Sequence, residues 1–393
     1  MPTRLKKSLE DHFLFIKGKK YDLIIIDDLL PIPLTPWRNF EYENLIRLYP
    51  KSKVIVDFSN TLLKGEKEYY QHFEELQKGY PLLAEKLTPI RKGTSINSKL
   101  VYLLFYNNIK RYYTLLKKNK AFFGFTLYPG GGFKLNDTAC DTLLKEAIGD
   151  PLCKFVITDQ KVTYDYLTNI LQMPKEKIFF IYGIPLQFKD TKETVLLEKK
   201  YFSGNKTSID VVFIAHKYRP YGKDKGFDVF QEAVLALIDN PSFNFHIVGN
   251  FTKADLIYTE IENRVKFYGH IGEEIFSTFF EDKDILISPN KPNVIAPGAF
   301  DGFPLGSSLA GGFNNCVMLL TNELNESPEI FIDGLHYLKI RPTNEDIVDK
   351  LLVLKGDKER MKLIATEGKK RISEIYNYKN QNAERLTVIS KFI

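Results

Sequence analysis

Residues 210–250 read DVVFIAHKYRPYGKDKGFDVFQEAVLALIDNPSFNFHIVGN, and this stretch decides the fold. It opens on a short apolar run rich in β-branched residues, Asp210–Ala215, the pattern of a buried strand. A basic loop follows and ends in Lys225-Gly226-Phe227-Asp228. Helical periodicity over Asp228–Asp239 then leads to a second strand-like run, Phe243–Val248, closed by Gly249. Strand, helix and strand in this order are the unit of a parallel sheet, because parallel neighbours require a crossover.

The same alternation extends in both directions. Downstream, strands are expected at Arg264–Tyr268, Asp284–Ile287, Cys316–Leu320 and Tyr337–Ile340, with a helix over Asn344–Leu354. The last stretch, Lys358–Ile393, is helical and charged. Upstream, strands are expected at Tyr21–Asp27, Lys53–Phe58, Ala121–Leu127, Phe155–Thr158 and Lys177–Tyr182, with amphipathic helices at Glu66–Lys78 and Val101–Lys118. Asp190–Ser208 is polar and free of strand signals, as a linker is. The expectation is an α/β chain of two domains, 1–196 and 207–376, with a helix over 377–393 packing back on the first.

Composition agrees with a globular protein: 44% of the 393 residues are hydrophobic and 26% charged. No apolar run approaches the ~20 residues that span a bilayer, and Met1–Glu10 is basic without the apolar core of a signal peptide. Cys140, Cys153 and Cys316 form neither a CxxC pair nor a disulfide framework, which suits a reducing cytoplasm. Charge is uneven. Residues 1–200 carry a net +9 and the remainder −3, so the first half is expected to meet an anionic partner. Nucleic acid fits poorly, since the basic residues interleave with core aromatics and no nucleic-acid motif is present.

The order of elements in the second half resembles the donor-binding domain of family 4 retaining glycosyltransferases over Val211–Tyr376. The matching landmarks are Val211–Ala215, Lys225-Gly226-Phe227-Asp228, Val248-Gly249, Val265–Tyr268 with Gly269, Ser288-Pro289, Asp301-Gly302-Phe303-Pro304, Val317–Leu320 and Asp333-Gly334. The first half resembles the family more weakly, best over Phe155–Ile184, and residues 1–20 lack the family's N-terminal glycine-rich loop. The resemblance implies a GT-B fold, two Rossmann-like domains facing each other across a cleft. It implies sugar transfer from a nucleotide sugar, with retention and without a bound metal or other cofactor. The acceptor would be a glycan or glycolipid of surface polysaccharide synthesis, and the alternative is an inactive GT-B-like subunit that binds glycan or a partner transferase.

A leaving diphosphate gains negative charge, so cations and helix amides beside it accelerate transfer. By resemblance Lys225 is the diphosphate lysine, and the partner arginine falls near His216, where Lys217 or Arg219 would substitute. A plainly solvated basic loop is the alternative. Asp301 matches the first acid of the family's Glu-x7-Glu pattern, which faces the transferred sugar; a helix-capping carboxylate is the other reading. The pattern's second acid would fall at Leu309. Gly302, Phe303, Pro304, Leu305, Gly306 and Ser307 form a low-bulk approach to the next helix, and Gly249 and Gly269 close neighbouring strands on the donor.

In the first half, Gly130, Gly131 and Gly132, with Phe133, follow a strand and are expected to touch the acceptor; a tight turn is the alternative. Arg38, in the proline-stiffened segment Pro31–Glu41, is a further acceptor candidate, and a structural loop is equally open. The six histidines show no metal-binding spacing, and Asp282-Lys283-Asp284 reads as a solvated turn rather than a metal motif. Lys110, Arg111, Lys117, Lys118 and Lys120 lie beside Tyr112, Tyr113, Leu115 and Leu116. This basic helix either rests on an anionic membrane surface, which would make the protein cytoplasmic and peripheral on the inner face, or is a solvated face over core aromatics.

Overall fold

The computed structural model describes residues 20–32, 36–57, 66–90, 94–186, 206–272 and 275–393. The readings of Met1–Glu10, and of most of the segment from Asp190 to Ser208, lie outside these residues. The chain divides into two compact units, Met1–Gln187 with Tyr376–Ile393, and Phe188–Ile375.

The first unit is built on a parallel sheet of seven strands. In chain order these are β1 (Tyr21–Asp27), β2 (Ser52–Val56), β3 (Leu87–Pro89), β4 (Ser98–Leu104), β5 (Phe123–Leu127), β6 (Cys153–Thr158) and β7 (Ile178–Phe180). Spatially the order is β3-β2-β1-β4-β5-β6-β7. The principal helices between them are α1 (Pro36–Leu48), α2 (Glu66–Gly79), α3 (Pro81–Lys86), α4 (Phe105–Lys118), α5 (Thr138–Gly149) and α6 (Lys161–Asp165). Central strands are apolar on both faces: Leu100–Leu104 and Phe123–Leu127 are buried throughout, as helices on both sides of a parallel sheet require. Asp137 caps α5 by accepting the Cys140 amide at 2.9 Å.

Two sequence expectations are corrected here. Val101–Lys118 is not one helix. Ser98–Leu104 is the strand β4, paired with β1 and β5, and the helix begins only at Phe105. Leu100–Phe105 is apolar at every position, and a short run of that kind carries no period with which to separate strand from buried helix. The segment expected as a loop over Pro31–Glu41 is helical from Pro36 onward; proline suits the first helical position because it lacks the amide that would be unpaired there.

The second unit holds a six-stranded parallel sheet, β8 (Ile209–Ile214), β9 (Phe243–Val248), β10 (Val265–Phe267), β11 (Ile285–Ser288), β12 (Val317–Leu320) and β13 (Leu338–Lys339). Its spatial order is β10-β9-β8-β11-β12-β13. The helices are α7 (Phe227–Ala236), α8 (Phe276–Phe280), α9 (Gly306–Phe313), α10 (Asn344–Gly356) and α11 (Lys358–Ile375). One core joins Val211 and Phe213 of β8 to Phe227 and Phe230 of α7 and to Leu351 and Ile364 of α10 and α11. Full burial of such side chains contributes roughly 1.5–3 kcal/mol each. The final helix, α12 (Tyr378–Ile389), belongs to the first unit. Its Arg385 donates to the Gly183 carbonyl at 2.7 Å, and its Gln381 to the Tyr182 carbonyl at 2.7 Å.

At the amino end of the second sheet, Asp284 is fully buried and accepts from Lys206 and from the Asp210 amide. Lys283 is buried as well. Of Asp282-Lys283-Asp284, expected as a solvated turn, only Asp282 stands in solvent; Asp284 is built into the junction of β8 and β11.

Candidate functional site

In an open parallel sheet, ligands bind beyond the carboxyl ends of the strands, where the strand order reverses and adjacent loops part in opposite directions. In the second unit that point lies between β8 and β11, since the chain goes from β8 outward to β9 and β10, and from β11 outward to β12 and β13. The loop after β8 carries His216, Lys217, Tyr218, Arg219 and Lys225, and the long segment after β11 carries Asp301 and leads into α9.

These two segments meet. The Lys225 ammonium lies 2.5 Å from an Asp301 carboxylate oxygen and 3.7 Å from one of Asp224, with the Tyr218 ring centroid at 5.3 Å. Local backbone geometry fixes this position. Residues Pro220–Lys225 form a 3-10 turn ended by Gly226 in the left-handed region, φ 69°. A β-carbon on Gly226 would stand 2.0 Å from the Pro289 carbonyl oxygen, so only glycine lets the two loops close. Lys291 secures the other side, its amide donating to the Asp224 carbonyl and its ammonium pairing with Asp228 at 2.8 Å.

Burial alone would lower the Lys225 pKa, but Asp301 and then Asp224 outweigh it and the net shift is upward. The side chain is thus held as a cation. Asp224 is shifted upward, chiefly by desolvation, which outweighs Lys225. It is 2% exposed, and among the described residues neither carboxylate oxygen has a partner within hydrogen-bond distance. His216 packs on Tyr218 with centroids 4.6 Å apart, and its pKa is lowered by partial burial and then by His270 and Lys225.

The helix α9 starts five residues after Asp301 with no side-chain cap from Leu305, and uncapped first-turn amides are the feature that suits a helix start to an anion. A β-carbon on Gly306 would meet nothing within 4 Å, so the approach is open. Phe303 is buried against Tyr337 and Phe331, centroids 5.3 and 6.1 Å away, and the Phe303–Pro304 bond is cis. Leu309 is fully buried in the protein.

Other expected residues are placed differently. Lys217 pairs with Asp255 at 2.6 Å, and Arg219 is exposed at the entry to the 3-10 turn. The Gly249 amide donates to the Gly269 carbonyl at 2.8 Å, which brings the ends of β9 and β10 together. Tyr218, Asp224 and His270 are the neighbours of Lys225 and His216 that the sequence reading passed over. The signal for Asp224 was present in Lys223-Asp224-Lys225, an acid set between two bases.

In the first unit the strand order reverses between β1 and β4. Beside it, Gly130, Gly131 and Gly132 all have positive φ, 75°, 53° and 86°. The Gly131 carbonyl accepts the Asn107 amide at 2.9 Å, and a β-carbon on Gly132 would lie 2.1 Å from the Asn107 side-chain oxygen. The loop is thus pressed onto the start of α4. Two acceptor candidates do not reach solvent. Phe133 is core, and Arg38 is wholly buried with its guanidinium 3.0 Å from Asp27. Asp27 also accepts from the Tyr42 hydroxyl and the Leu29 and Leu30 amides, so this pair fastens the β1–α1 connection.

Among the described residues no helix is long and apolar enough to cross a membrane, and no three His, Cys, Asp or Glu side chains are grouped as metal ligands. On α4, Tyr112, Tyr113 and Leu116 face the core while Lys117 pairs with Glu146 at 2.6 Å.

No family profile and no curated protein matches the sequence. Solved structures do. A glycosyltransferase from Rickettsia africae superposes with a TM-score of 0.66 at 15% identity, covering 95% of this chain and 99% of that one. Anabaena HepE, solved with UDP and glucose, gives 0.62 at 14%, covering 94% and 100%. Sucrose-phosphate synthase from Thermosynechococcus elongatus gives 0.63 at 10%, covering 94% and 98%. The chain has the GT-B fold. At these identities the likeness speaks for architecture, and the chemistry rests on the side chains of each GT-B unit.

Proposed function

We propose that the chain is a glycosyltransferase that takes a sugar from a nucleotide-sugar donor held at the β8–β11 end of the second unit. The observation that carries this reading is the convergence of Lys225, Asp301 and the open start of α9 at one switch point. Lys225 and the α9 amides stabilise the departing diphosphate, Asp301 positions the transferred sugar, and Gly249 and Gly269 let the nucleotide approach the backbone. Lys217 and Arg219 supply outlying positive charge, while His216 lines the rim. The acceptor is a glycan or glycolipid of a surface polysaccharide, met by the part-exposed backbone of Gly130–Gly132. Transfer retains configuration and needs no metal or other cofactor, and the basic α4 face carries the enzyme to the inner surface of an anionic membrane. That HepE was solved with UDP and with UDP-glucose, and TarM in a complex that includes UDP, supports a uridine nucleotide as the first donor to try.

A second reading, an inactive subunit that binds glycan or a partner transferase, is favoured by Leu309, whose apolar side chain is sealed in the protein where the family pattern has an acid. One experiment separates the two. A thermal-shift screen of UDP, GDP, ADP and dTDP at millimolar concentration is expected to find a ligand that raises the melting temperature by mass action. If all four leave it unchanged, the donor site does not exist and the second reading stands.

A further inference from the structure

Lys225 already has an anionic partner supplied by the chain itself. Its side chain is 7% exposed, Asp301 sits against the ammonium at 2.5 Å, and the Tyr218 ring lies over it. The two carboxylates beside it differ. Asp224 is buried in the 3-10 turn, with its carbonyl tied to the Lys291 amide, and cannot leave without unmaking the turn. Asp301 has a side chain 27% exposed, lies outside any helix or strand, and precedes Gly302.

A diphosphate brought to this ammonium would add two or more negative charges beside two carboxylates in a poorly solvated place. Like charges a few ångströms apart strongly disfavour one another there. The arrangement relieves itself in one direction, by moving the more exposed acid. We propose that Asp301 is an internal competitor for Lys225: it holds the ammonium until a donor diphosphate displaces it, and the displaced carboxylate then turns to the sugar. Asp224 stays as the fixed counter-charge that keeps Lys225 protonated and seated. Donor binding and exposure of the sugar-facing acid become one event, so that acid is withheld from other hydroxyl compounds while Lys225 holds it. This inference rests on the reading of Lys225 as the diphosphate ligand.

The consequence runs against the usual effect of removing a site residue. The tightest binder of UDP, GDP, ADP and dTDP serves as the probe, with affinities read by ligand-observed NMR, which reaches the millimolar range. Asp301→Asn is expected to bind it more tightly than wild type, by roughly tenfold if the pair is closed in about 90% of molecules, while sugar transfer falls. In a Lys225→Met background the same substitution is expected to give no gain, because the contest has lost its object. Asp301→Ala serves as a second variant, and circular dichroism verifies folding. Equal or weaker binding by both folded Asp301 variants overturns the proposal. So does a gain of the same size in both backgrounds, which would mean general charge repulsion. If Lys225→Met alone binds the probe as tightly as wild type, it is the diphosphate role of Lys225 that falls.

Discussion

The carboxyl ends of the two sheets place charged residues at equivalent points and treat them in opposite ways. At the first sheet's reversal Asp27 is fully buried and saturated by Arg38, Tyr42 and two backbone amides. Next to it Glu41 accepts from the Tyr102 and Tyr128 hydroxyls at 2.6 and 3.0 Å, and Arg385 reaches the Tyr128 hydroxyl from α12. At the second sheet's reversal Lys225 is held between Asp301 and an Asp224 whose carboxylate, among the described residues, accepts no hydrogen bond. A saturated buried charge fixes the fold. A cation whose nearer partner is part-exposed and lies outside any helix or strand is suited to exchanging that partner for a ligand.

The largest effect expected from this contrast is on turnover. Lys225→Met should lower kcat/KM for sugar transfer, counted per folded molecule, by about 10²–10³, the usual result of removing one group that stabilises a developing anion. Arg38→Met should leave the rate per folded molecule unchanged. A donor-titrated transfer assay on both variants checks this; equal losses of rate would erase the distinction between the two ends.

Stability tests the first unit's buried network directly. Arg385→Met strips a buried cation from Glu41 and Tyr128 and removes its bond to the Gly183 carbonyl. Breaking a buried charged network from one side costs about 3–5 kcal/mol, so the first unit should unfold at a clearly lower urea concentration, and α12 should become open to proteolysis. Arg219→Met, which removes an exposed cation, serves as the control, with an expected change under about 1 kcal/mol.

The sequence disclosed what depends on order and spacing. The β8–α7–β9 alternation, the Lys225-Gly226 turn and the Asp301 loop all sit where the pattern along the chain put them. It hid what depends on partners remote in sequence. Arg38 looked like a ligand-binding residue because its proline-rich surroundings resembled a loop, and nothing local announced Asp27 as its partner across a helix start. Strand β4 was concealed because both its faces are buried, which erases alternation. The charged Asp282-Lys283-Asp284 suggested solvent, yet Lys206 and the Asp210 amide draw Asp284 inside. Charge in a sequence marks a need for a partner, and only the fold decides whether protein, water or ligand meets it.

The smallest effect concerns acid, and it reads the second unit away from the donor end. Here His246 has one ring nitrogen 2.6 Å from Asp210 and the other 2.9 Å from the Tyr268 hydroxyl. Burial lowers the His246 pKa more than the bond to Asp210 raises it, and Lys283 adds to the lowering. Asp210 is desolvated as well, but its bonds to His246 and Lys206 prevail and bring it down to about 2. Both groups bind protons more weakly folded than unfolded. Their contribution is therefore complete above the unfolded values, about 6.5 for histidine and 3.9 for aspartate. It is lost as pH falls through the folded ones. His216 and His336 are shifted the same way and add to the trend. Urea midpoints should drop from pH 7 to pH 5, and His246→Gln should flatten that drop without abolishing it. An unaltered slope would mean that His246 takes up its proton equally in both states, and that the Asp210–His246–Tyr268 chain tolerates a charge that its burial argues against.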